Sequence, residues 1–261
     1  MPALVMRQPA NTQFARNAEH YARSAVFAQS DNLSALLRVV NPQPHWQTLD
    51  VAAGGGHTAI ACAARARHVT ATDIVPQMLA AARRLAHERE LTNIDFALAD
   101  AESLPHPDAT FDLVTCRIAP HHFNDPGRAV REMARVCKPG ALVAVIDGIA
   151  PPDRAVADEI NRWEAERDPS HVALLTVNGW SALFCAAHLD SVHLSAFDLW
   201  LDFDEHMRRA DVDNQTAANL RRQLLHGSPA MRDWLKVTVK GDTITFNWPL
   251  ILIVGRKAAA G

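Results

Sequence analysis

Three aspartates close apolar segments in the first half of the sequence. Asp50 lies in "TLDVAA", Asp73 ends "HVTATD" and Asp100 ends "IDFALAD". A glycine-rich turn, "AGGGH", separates the first two and leads directly into alanine-rich helical sequence. A strand, a tight turn and a helix in this order form a nucleotide-binding crevice in α/β proteins. The first chemistry to expect is therefore the binding of a nucleoside-type ligand.

The glycine-rich turn fits two patterns. From Gly54 it matches the dinucleotide fingerprint G-x-G-x-x-A, with Asp73 placed 19 residues later, near the ~20 at which an acid meets a ribose. From Asp50 it reads D-x-A-x-G-x-G, with an acid four residues before Gly54. A carboxylate beside the turn would repel a phosphate. It would instead attract a zwitterionic ligand that carries a positive charge and contacts the backbone of the glycines, which have no side chain. With Asp73 and Asp100 ending the next two strands, the pattern favours an adenosyl ligand with free ribose hydroxyls.

Histidines are the candidates for chemistry on a second reactant. His121 and His122 follow the predicted fourth strand, at the mouth where such a reactant would approach. An ordinary imidazole pKa near ~6.5 suits a base or an orienting group. The alternative is a helix start whose histidines bond nearby backbone. Tyr21, Asp147 and His171 are further candidates for a substrate pocket, with core packing as the alternative for Tyr21.

Alternating strands and helices must position these residues. Continuous apolar strand segments between helical ones are typical of a parallel sheet with helices on both faces, so we predict a doubly wound α/β fold. Residues 1–45 are predicted as an N-terminal helical cover and 46–150 as the α/β core. Residues 151–261 are predicted as a helical substrate cover with antiparallel edge strands that complete the same domain. Long strands are expected at 190–203 and 242–257.

Bulk composition excludes several function classes. The 261 residues are 48% hydrophobic and 21% charged, with a net charge of −3 and no basic stripe, which argues against nucleic acid as a partner. Apolar runs stay short of the ~18–20 residues of a membrane span, and the start lacks a signal-peptide profile. The four cysteines are scattered, so neither a metal site nor a disulfide framework is predicted. We expect a cytoplasmic protein.

One family combines these motifs. The segments "LDVAAGGGHTA", "ATDIVPQMLAAA" and "ADAESLPHPDATFDLVTCRIAPHHFNDPGRAVREMARVCKPGALVAVID" resemble the class I S-adenosylmethionine-dependent methyltransferases, in the branch typified by ubiquinone and menaquinone biosynthesis. The resemblance covers about residues 45–148. It implies a Rossmann-like fold with a mostly parallel seven-stranded sheet, an antiparallel last strand and S-adenosylmethionine as the cofactor. "ERDPSH" further on resembles a bacterial subgroup of small-molecule methyltransferases without assigned substrates.

The resemblance also implies roles for individual residues. Asp50 and the backbone of the glycine-rich turn would hold the methionine end of S-adenosylmethionine. Asp73 would bind its ribose, and Asp100 with Ala101 would contact its adenine. The wider family often has glycine where this chain has Ala52. The predicted cofactor-binding residues are Asp50, Ala52, Ala53, Gly54, Gly56, Asp73, Ile74, Met78, Asp100, Ala101, Glu102 and Arg117.

The function expected is in-line transfer of the sulfonium methyl to an O, N or C nucleophile of a small molecule. Two alternatives stay open: a protein that binds S-adenosylmethionine without methyl transfer, and a nicotinamide-dependent oxidoreductase on a Rossmann-type fold. Asp50 and the Asp100–Ala101 turn argue against the oxidoreductase. The sequence does not determine the acceptor, the atom methylated, the need for a general base or whether the protein forms a homodimer.

Overall fold

The apolar segments form the strands of the structure, a computed structural model that describes residues 10–23 and 30–259. Strands one to five match the predicted segments to within a few residues, apart from an earlier start of β5. In chain order the strands are β1 (Gln47–Val51), β2 (His68–Asp73), β3 (Ile94–Leu98), β4 (Phe111–Arg117), β5 (Cys137–Gly148), β6 (Leu189–Phe197), β7 (Trp200–Asp202), β8 (Thr238–Lys240), β9 (Thr243–Asn247) and β10 (Leu250–Lys257).

Helices fill the connections, and most begin at a residue that can accept hydrogen bonds from the first turn. Asp153, Thr176 and Asp213, for example, each accept backbone N–H groups of the helix that follows. In chain order the helices are α1 (Ala10–Ala22), α2 (Asp31–Val40), α3 (His57–Ala63), α4 (Pro76–Glu88), α5 (Pro126–Val136), α6 (Arg154–Arg167), α7 (Val177–Ala186), α8 (Phe203–Arg209), α9 (Asn214–His226) and α10 (Pro229–Trp234), with a 3₁₀ helix at Pro120–His122.

The main sheet confirms the predicted fold class. Within the described residues it has seven strands in the order β3-β2-β1-β4-β5-β10-β6. Strands β1 to β5 are parallel, and β10 is antiparallel to both of its neighbours. The antiparallel strand lies inside the sheet, because β6 takes the edge. Its apolar run Leu250–Val254 is accordingly buried.

Two predicted long strands are wrong as continuous elements. The segment 190–203 divides into β6 and β7, and 242–257 divides into β9 and β10. Strands β7, β9 and β8 form a separate three-stranded antiparallel sheet. Pro249 marks the second division, since a proline has no N–H to continue a ladder. At the same point the Trp248 N–H donates to the Leu199 carbonyl at 2.8 Å and ties the two divisions together.

Apolar layers cover both faces of the main sheet. On one face Leu36 of α2 and Trp163 of α6 belong to a large buried cluster with β10. On the other, Met133 of α5 and Phe184 of α7 pack on β4, β5 and β10. Among the described residues, no helix has both the length and the apolar character needed to cross a bilayer.

Helix α1 lies across the glycine-rich turn. Ala18 and Ala22 of α1 pack against Val75 and Met78 at the start of α4. A Cβ built on Gly55 would come within 2.7 Å of the Ala22 Cα, so only a glycine permits this approach. The first helix of the described chain therefore forms part of the wall at the carboxyl ends of the strands.

Candidate active site

A cavity of about 530 Å³ lies at the carboxyl ends of β1, β2, β3 and β4. Its volume is typical of a small-molecule site, and open α/β sheets bind their ligands at this edge. Helix α1, the end of α6, helix α8 and the segment before β10 close it from the other side. The predicted site residues that line it are Tyr21, Ala52, Ala53, Gly54, Asp73, Ile74, Met78, Asp100, Ala101, Glu102, Arg117, His121 and His122.

Asp50 lies behind the cavity wall. Its side chain is buried within β1, where the Thr115 hydroxyl donates to Oδ1 at 2.7 Å. Oδ2 has no hydrogen-bond partner among the described residues. Burial raises the pKa of Asp50 to about 7, against the opposing effects of the Thr115 hydrogen bond and the Arg117 charge. The Asp50 carboxylate thus lies behind the glycine-rich turn, with which it was expected to hold the methionine end of the cofactor.

Gly56, Asp147 and His171 also lie outside the cavity lining. Gly56 has a φ of 81° and precedes the first turn of α3. Asp147 faces His121 instead of the cavity. The His171 ring nitrogen Nε2 lies 2.9 Å from Asn161 Oδ1, on α6. These three residues support the wall rather than form its surface.

Backbone amides hold the Asp73 carboxylate at the end of β2. The Gly54 N–H donates to Oδ2 at 2.8 Å, and the Val75 N–H donates to Oδ1 at 2.9 Å. Each carboxylate oxygen can accept a further hydrogen bond. The arrangement fixes Asp73 in the cavity wall with capacity left for two ligand hydroxyls.

The third strand contributes a polar turn. Oδ1 of Asp100 accepts from the Glu102 N–H at 2.8 Å. Oε1 of Glu102 in turn accepts from the N–H groups of Asn124 and Asp125, at 2.8 and 3.0 Å. Glu102 thereby ties this turn to the segment after β4. Beside it, Ile74 is 54% exposed and presents an apolar surface at the cavity edge.

Arg117 ends β4 close to the glycine-rich turn. Its Nε donates to Thr58 Oγ1 at 2.9 Å, and Nη1 donates to Asn32 Oδ1 at 3.1 Å. Burial lowers its pKa to about 10, while the nearby Asp50 opposes that shift. Arg117 therefore stays cationic at neutral pH and adds a positive charge to this part of the wall.

The two histidines after β4 differ in their partners and charge. Nδ1 of His121 bonds Asp147 Oδ1 at 2.6 Å. Burial alone would lower the pKa of His121, but Asp147 outweighs it and raises the pKa above the ordinary value. Burial and the neighbouring His121 charge lower the pKa of His122 to about 3, so His122 is neutral.

A hydrogen-bond chain defines the tautomer of His122. The Ser170 hydroxyl donates to Asp168 Oδ1 at 2.6 Å, so its proton is already committed. Nδ1 of His122 lies 3.0 Å from the same hydroxyl oxygen and must therefore donate to it. This tautomer leaves Nε2 of His122 as an acceptor.

The sequence analysis did not identify the residues of the deeper cavity wall. They come from the 3₁₀ helix region and from cover elements distant in sequence. A useful signal was the charged "ERDPSH" segment of the cover, although burial of its charges cannot be read from sequence. The additional lining residues include Phe14, Gly55, Ile118, Phe123, Arg167, Asp168, Ser170, Leu201, His206, Arg209 and Trp248.

Comparison with known proteins agrees with this architecture. Residues 49–145 match the family model described as "Methyltransferase domain". The chain is 34% identical over 248 residues to the uncharacterized methyltransferase YcgJ of Bacillus subtilis, covering 94% of this chain and 98% of YcgJ. The crystal structure of YcgJ aligns with a TM-score of 0.83 and 32% identity, covering 87% of this chain and 98% of that one.

Two further proteins extend the comparison. A putative methyltransferase from Bacillus halodurans C-125 aligns with a TM-score of 0.84 and 29% identity, over 88% of this chain and all (100%) of that one. The demethylmenaquinone methyltransferase of Deinococcus radiodurans is 42% identical over 103 residues, or 39% of this chain and 42% of that protein. The similarity to YcgJ extends over nearly the whole chain, and the sheet order and the cavity at the carboxyl edge agree with it. The chain therefore belongs to the class I S-adenosylmethionine-dependent methyltransferases.

Proposed function

We propose that this methyltransferase binds S-adenosylmethionine along the carboxyl ends of β1 to β4 and methylates a small molecule held deeper in the same cavity. One observation carries the proposal: a single cavity joins the Asp73 carboxylate to His121. The cofactor and the acceptor would then share one enclosed space. Residues 1–45 and 151–261 would serve as its cover.

The residues at the sheet edge fit an adenosyl ligand. Asp73 would accept both ribose hydroxyls, Ile74 and Met78 would contact the adenine, and Asp100 with Ala101 would meet its amino group. A Cβ on Gly54 would have no heavy atom within 4 Å, so this backbone borders open space into which a ligand fits.

The methionine end would lie over the glycine-rich turn. Arg117 would pair with its carboxylate, beside the backbone of residues 52–56. Asp50 would act on the ligand's positive charge from behind the loop, through charge rather than contact. When bound, S-adenosylmethionine supplies an activated methyl group whose departure leaves a neutral thioether.

His121 is proposed as the base for an acceptor that must lose a proton. Above its raised pKa the His121 ring is neutral, with Nδ1–H committed to Asp147 and Nε2 left to take the proton. The acceptor's lone pair forms the bond to the methyl carbon while the carbon–sulfur bond breaks and its electron pair stays on sulfur. His122, which is neutral, would position the acceptor. The rest of the rate acceleration would come from orienting the two reactants and excluding water, which together lower the activation free energy by several kcal/mol.

Calorimetric titration tests the cofactor part of the proposal. Wild-type protein should bind S-adenosylmethionine and not NAD. Asp73→Ala should weaken S-adenosylmethionine binding at least about tenfold, because a charged hydrogen-bond acceptor is lost. Asp95→Ala, at an exposed acid on β3, is the matched control and should leave the affinity unchanged. Unchanged affinity in Asp73→Ala would contradict the ribose assignment.

Label transfer tests the acceptor part. Protein incubated with methyl-labelled S-adenosylmethionine and a bacterial extract should place the label in the low-molecular-weight fraction. His121→Ala, which cannot accept the proton, is the inactive control. Label found solely in protein or nucleic acid would refute a small-molecule acceptor.

A further inference from the structure

Two buried guanidinium groups line the side of the cavity that the cover forms. Arg167 ends α6 and Arg209 ends α8, and each residue is 8% exposed and lines the cavity. Neither belongs to the β1–β4 edge that we assign to the cofactor. Both come from the cover, where residues specific to the second substrate are expected.

Carboxylates hold Arg167 from one side. Its Nε and Nη2 lie 2.9 and 2.8 Å from Glu164 Oε2, and Nη2 is 4.0 Å from Asp168 Oδ2. None of these contacts uses Nη1. Since a guanidinium has five N–H donors in a planar fork, Arg167 keeps donor capacity while its orientation is fixed.

Arg209 has a more exposed partner. Its Nη2 lies 3.2 Å from Glu205 Oε1, and the Glu205 side chain is about half exposed. Water screens that carboxylate, whereas the buried guanidinium is poorly hydrated. An anion inside the cavity would therefore interact with Arg209 with less screening by water than Glu205 does.

His206 lies beside the two arginines with unsatisfied hydrogen-bonding capacity. It is 7% exposed, and neither ring nitrogen has a partner among the described residues. Burial and the charges of Arg167 and Arg209 hold its pKa well below the ordinary value, so the ring is neutral. Leaving such a group unpaired destabilises the fold, and a bound ligand would give it a hydrogen-bond partner. The Trp163 ring, nearly parallel to it at 6.4 Å, helps to hold its position.

Trp248 adds a donor next to the proposed base. Its Nε1 has no partner among the described residues, and an indole nitrogen can donate only. The ring centroid of Trp248 lies 5.4 Å from that of His121. By contrast, Oδ1 of the lining residue Asp168 already accepts the Ser170 amide and hydroxyl. Donor capacity is therefore left on Arg167 and Trp248, beside the Asp168 Oδ2 acceptor, whose contact with Arg167 is 4.0 Å long.

We propose that the methyl acceptor carries an anionic oxygen group, a carboxylate or a phosphate, that is bound by Arg167, His206, Arg209 and Trp248. We call these four residues the anion pocket. The inference rests on the proposed function, because it concerns the acceptor for the same cavity. Bound there, the acceptor would present its nucleophilic atom to His121, whose ring adjoins Trp248.

The experiment uses protein saturated with S-adenosylhomocysteine and four probes of similar size. Benzoate and phenyl phosphate carry the two anionic groups, benzyl alcohol is uncharged and benzylamine is cationic. Calorimetric titration should show binding of at least one anion and at least about tenfold weaker binding of the other two compounds. If benzoate binds more tightly than phenyl phosphate, the acceptor's anionic group is a carboxylate; the reverse order indicates a phosphate. Equal binding of benzyl alcohol, preference for benzylamine or failure of both anions to bind would overturn the inference.

Substitutions locate the binding. Arg209→Gln should weaken anion binding at least about tenfold and leave the affinity for S-adenosylhomocysteine within a factor of about two. Arg208→Gln, at the exposed neighbour on the same helix, is the matched control. Equal weakening of S-adenosylhomocysteine would assign Arg209 to the methionine carboxylate and overturn the inference. If Arg209→Gln does not fold, the comparison of the four probes on the wild-type protein still decides.

The two proposals fail in different ways. If the protein binds no S-adenosylhomocysteine, the proposed function fails. If it binds S-adenosylhomocysteine but no anionic probe, the anion pocket alone is refuted.

Discussion

Nδ1 of His121 lies 2.6 Å from Oδ1 of Asp147, and the two side chains are 4% and 2% exposed. His121 follows β4 and Asp147 lies near the end of β5, the neighbouring strand of the sheet. The hydrogen bond therefore links the carboxyl ends of two adjacent strands. Because water is excluded, the Asp147 charge acts on the imidazole with little screening.

Asp147→Asn should lower the pKa of His121. The substitution keeps the shape of the side chain but removes the charge that raises this pKa. The imidazole NMR signal of His121, assigned with a His121→Ala variant, should titrate above ~6.5 in the wild type and at lower pH in Asp147→Asn. Asp95→Asn, next to the exposed His68, should leave this signal unchanged. An unmoved midpoint in Asp147→Asn would contradict the assignment.

The same variant should lose stability in a defined pH range. A histidine whose pKa is raised by folding stabilises the protein fully below its unfolded pKa, and this contribution disappears as pH rises through the folded pKa. The difference in unfolding free energy between wild type and Asp147→Asn should therefore be largest below about pH 6 and shrink at higher pH. Urea unfolding at pH 5.5 and pH 9 measures it, and a difference that grows with pH would be the opposite result.

Asp50→Asn should stabilise the protein at neutral and alkaline pH. The folded pKa of about 7 exceeds the ordinary aspartate value of 3.8, so the buried charge costs stability as pH rises from near 4 to above 7. One pKa unit corresponds to about 1.4 kcal/mol, so the gain at pH 8 should reach up to about 4 kcal/mol and vanish near pH 4. Urea unfolding across this range measures it. A gain that does not depend on pH would show that Asp50 is ionised in the fold.

Gly55→Ala should displace α1 from the glycine-rich turn, because its Cβ would come within 2.7 Å of the Ala22 Cα. Trypsin should then cleave after Arg16, in α1, severalfold faster than in the wild type. Gly179→Ala is the control, since a Cβ there meets its nearest atoms at 3.4 and 3.6 Å. Equal cleavage rates in wild type and Gly55→Ala would mean that α1 does not lie on this turn.

Ala52→Gly should stabilise the protein slightly. Ala52 has a φ of 51°, a left-handed conformation that costs a residue with a Cβ about 1–2 kcal/mol. The greater flexibility of glycine in the unfolded chain offsets about 0.4–1 kcal/mol of that gain. Ala53→Gly, at a neighbour without a positive φ, should destabilise instead. Thermal unfolding of both variants gives the comparison, and destabilisation by Ala52→Gly would contradict it.

The fold was predictable where one local pattern decided it. Apolar segments alternating with helices predicted β1 to β5, and parallel strands place their carboxyl ends at one edge. Asp73 and Asp100 consequently line the same cavity. The division at Pro249 was missed, since the apolar segments on its two sides read as one strand although they pair in different sheets.

Asp50 shows the limit of motif spacing. The sequence places it four residues before Gly54, but spacing does not say whether a strand residue faces the cavity or the layer behind it. Only the pairing of β1 between β2 and β4 puts its carboxylate against Thr115.

The sequence by itself determined the five parallel strands, the acids that end the second and third of them and the family to which the chain belongs. These depend on short-range patterns: hydrophobic periodicity, glycine positions and strand ends. Only the tertiary structure brought Asp147 to His121 and gathered Arg167, His206, Arg209 and Trp248 around one space. Those contacts join residues far apart in the chain, and their energies depend on burial and distance, which arise when the cover packs on the sheet.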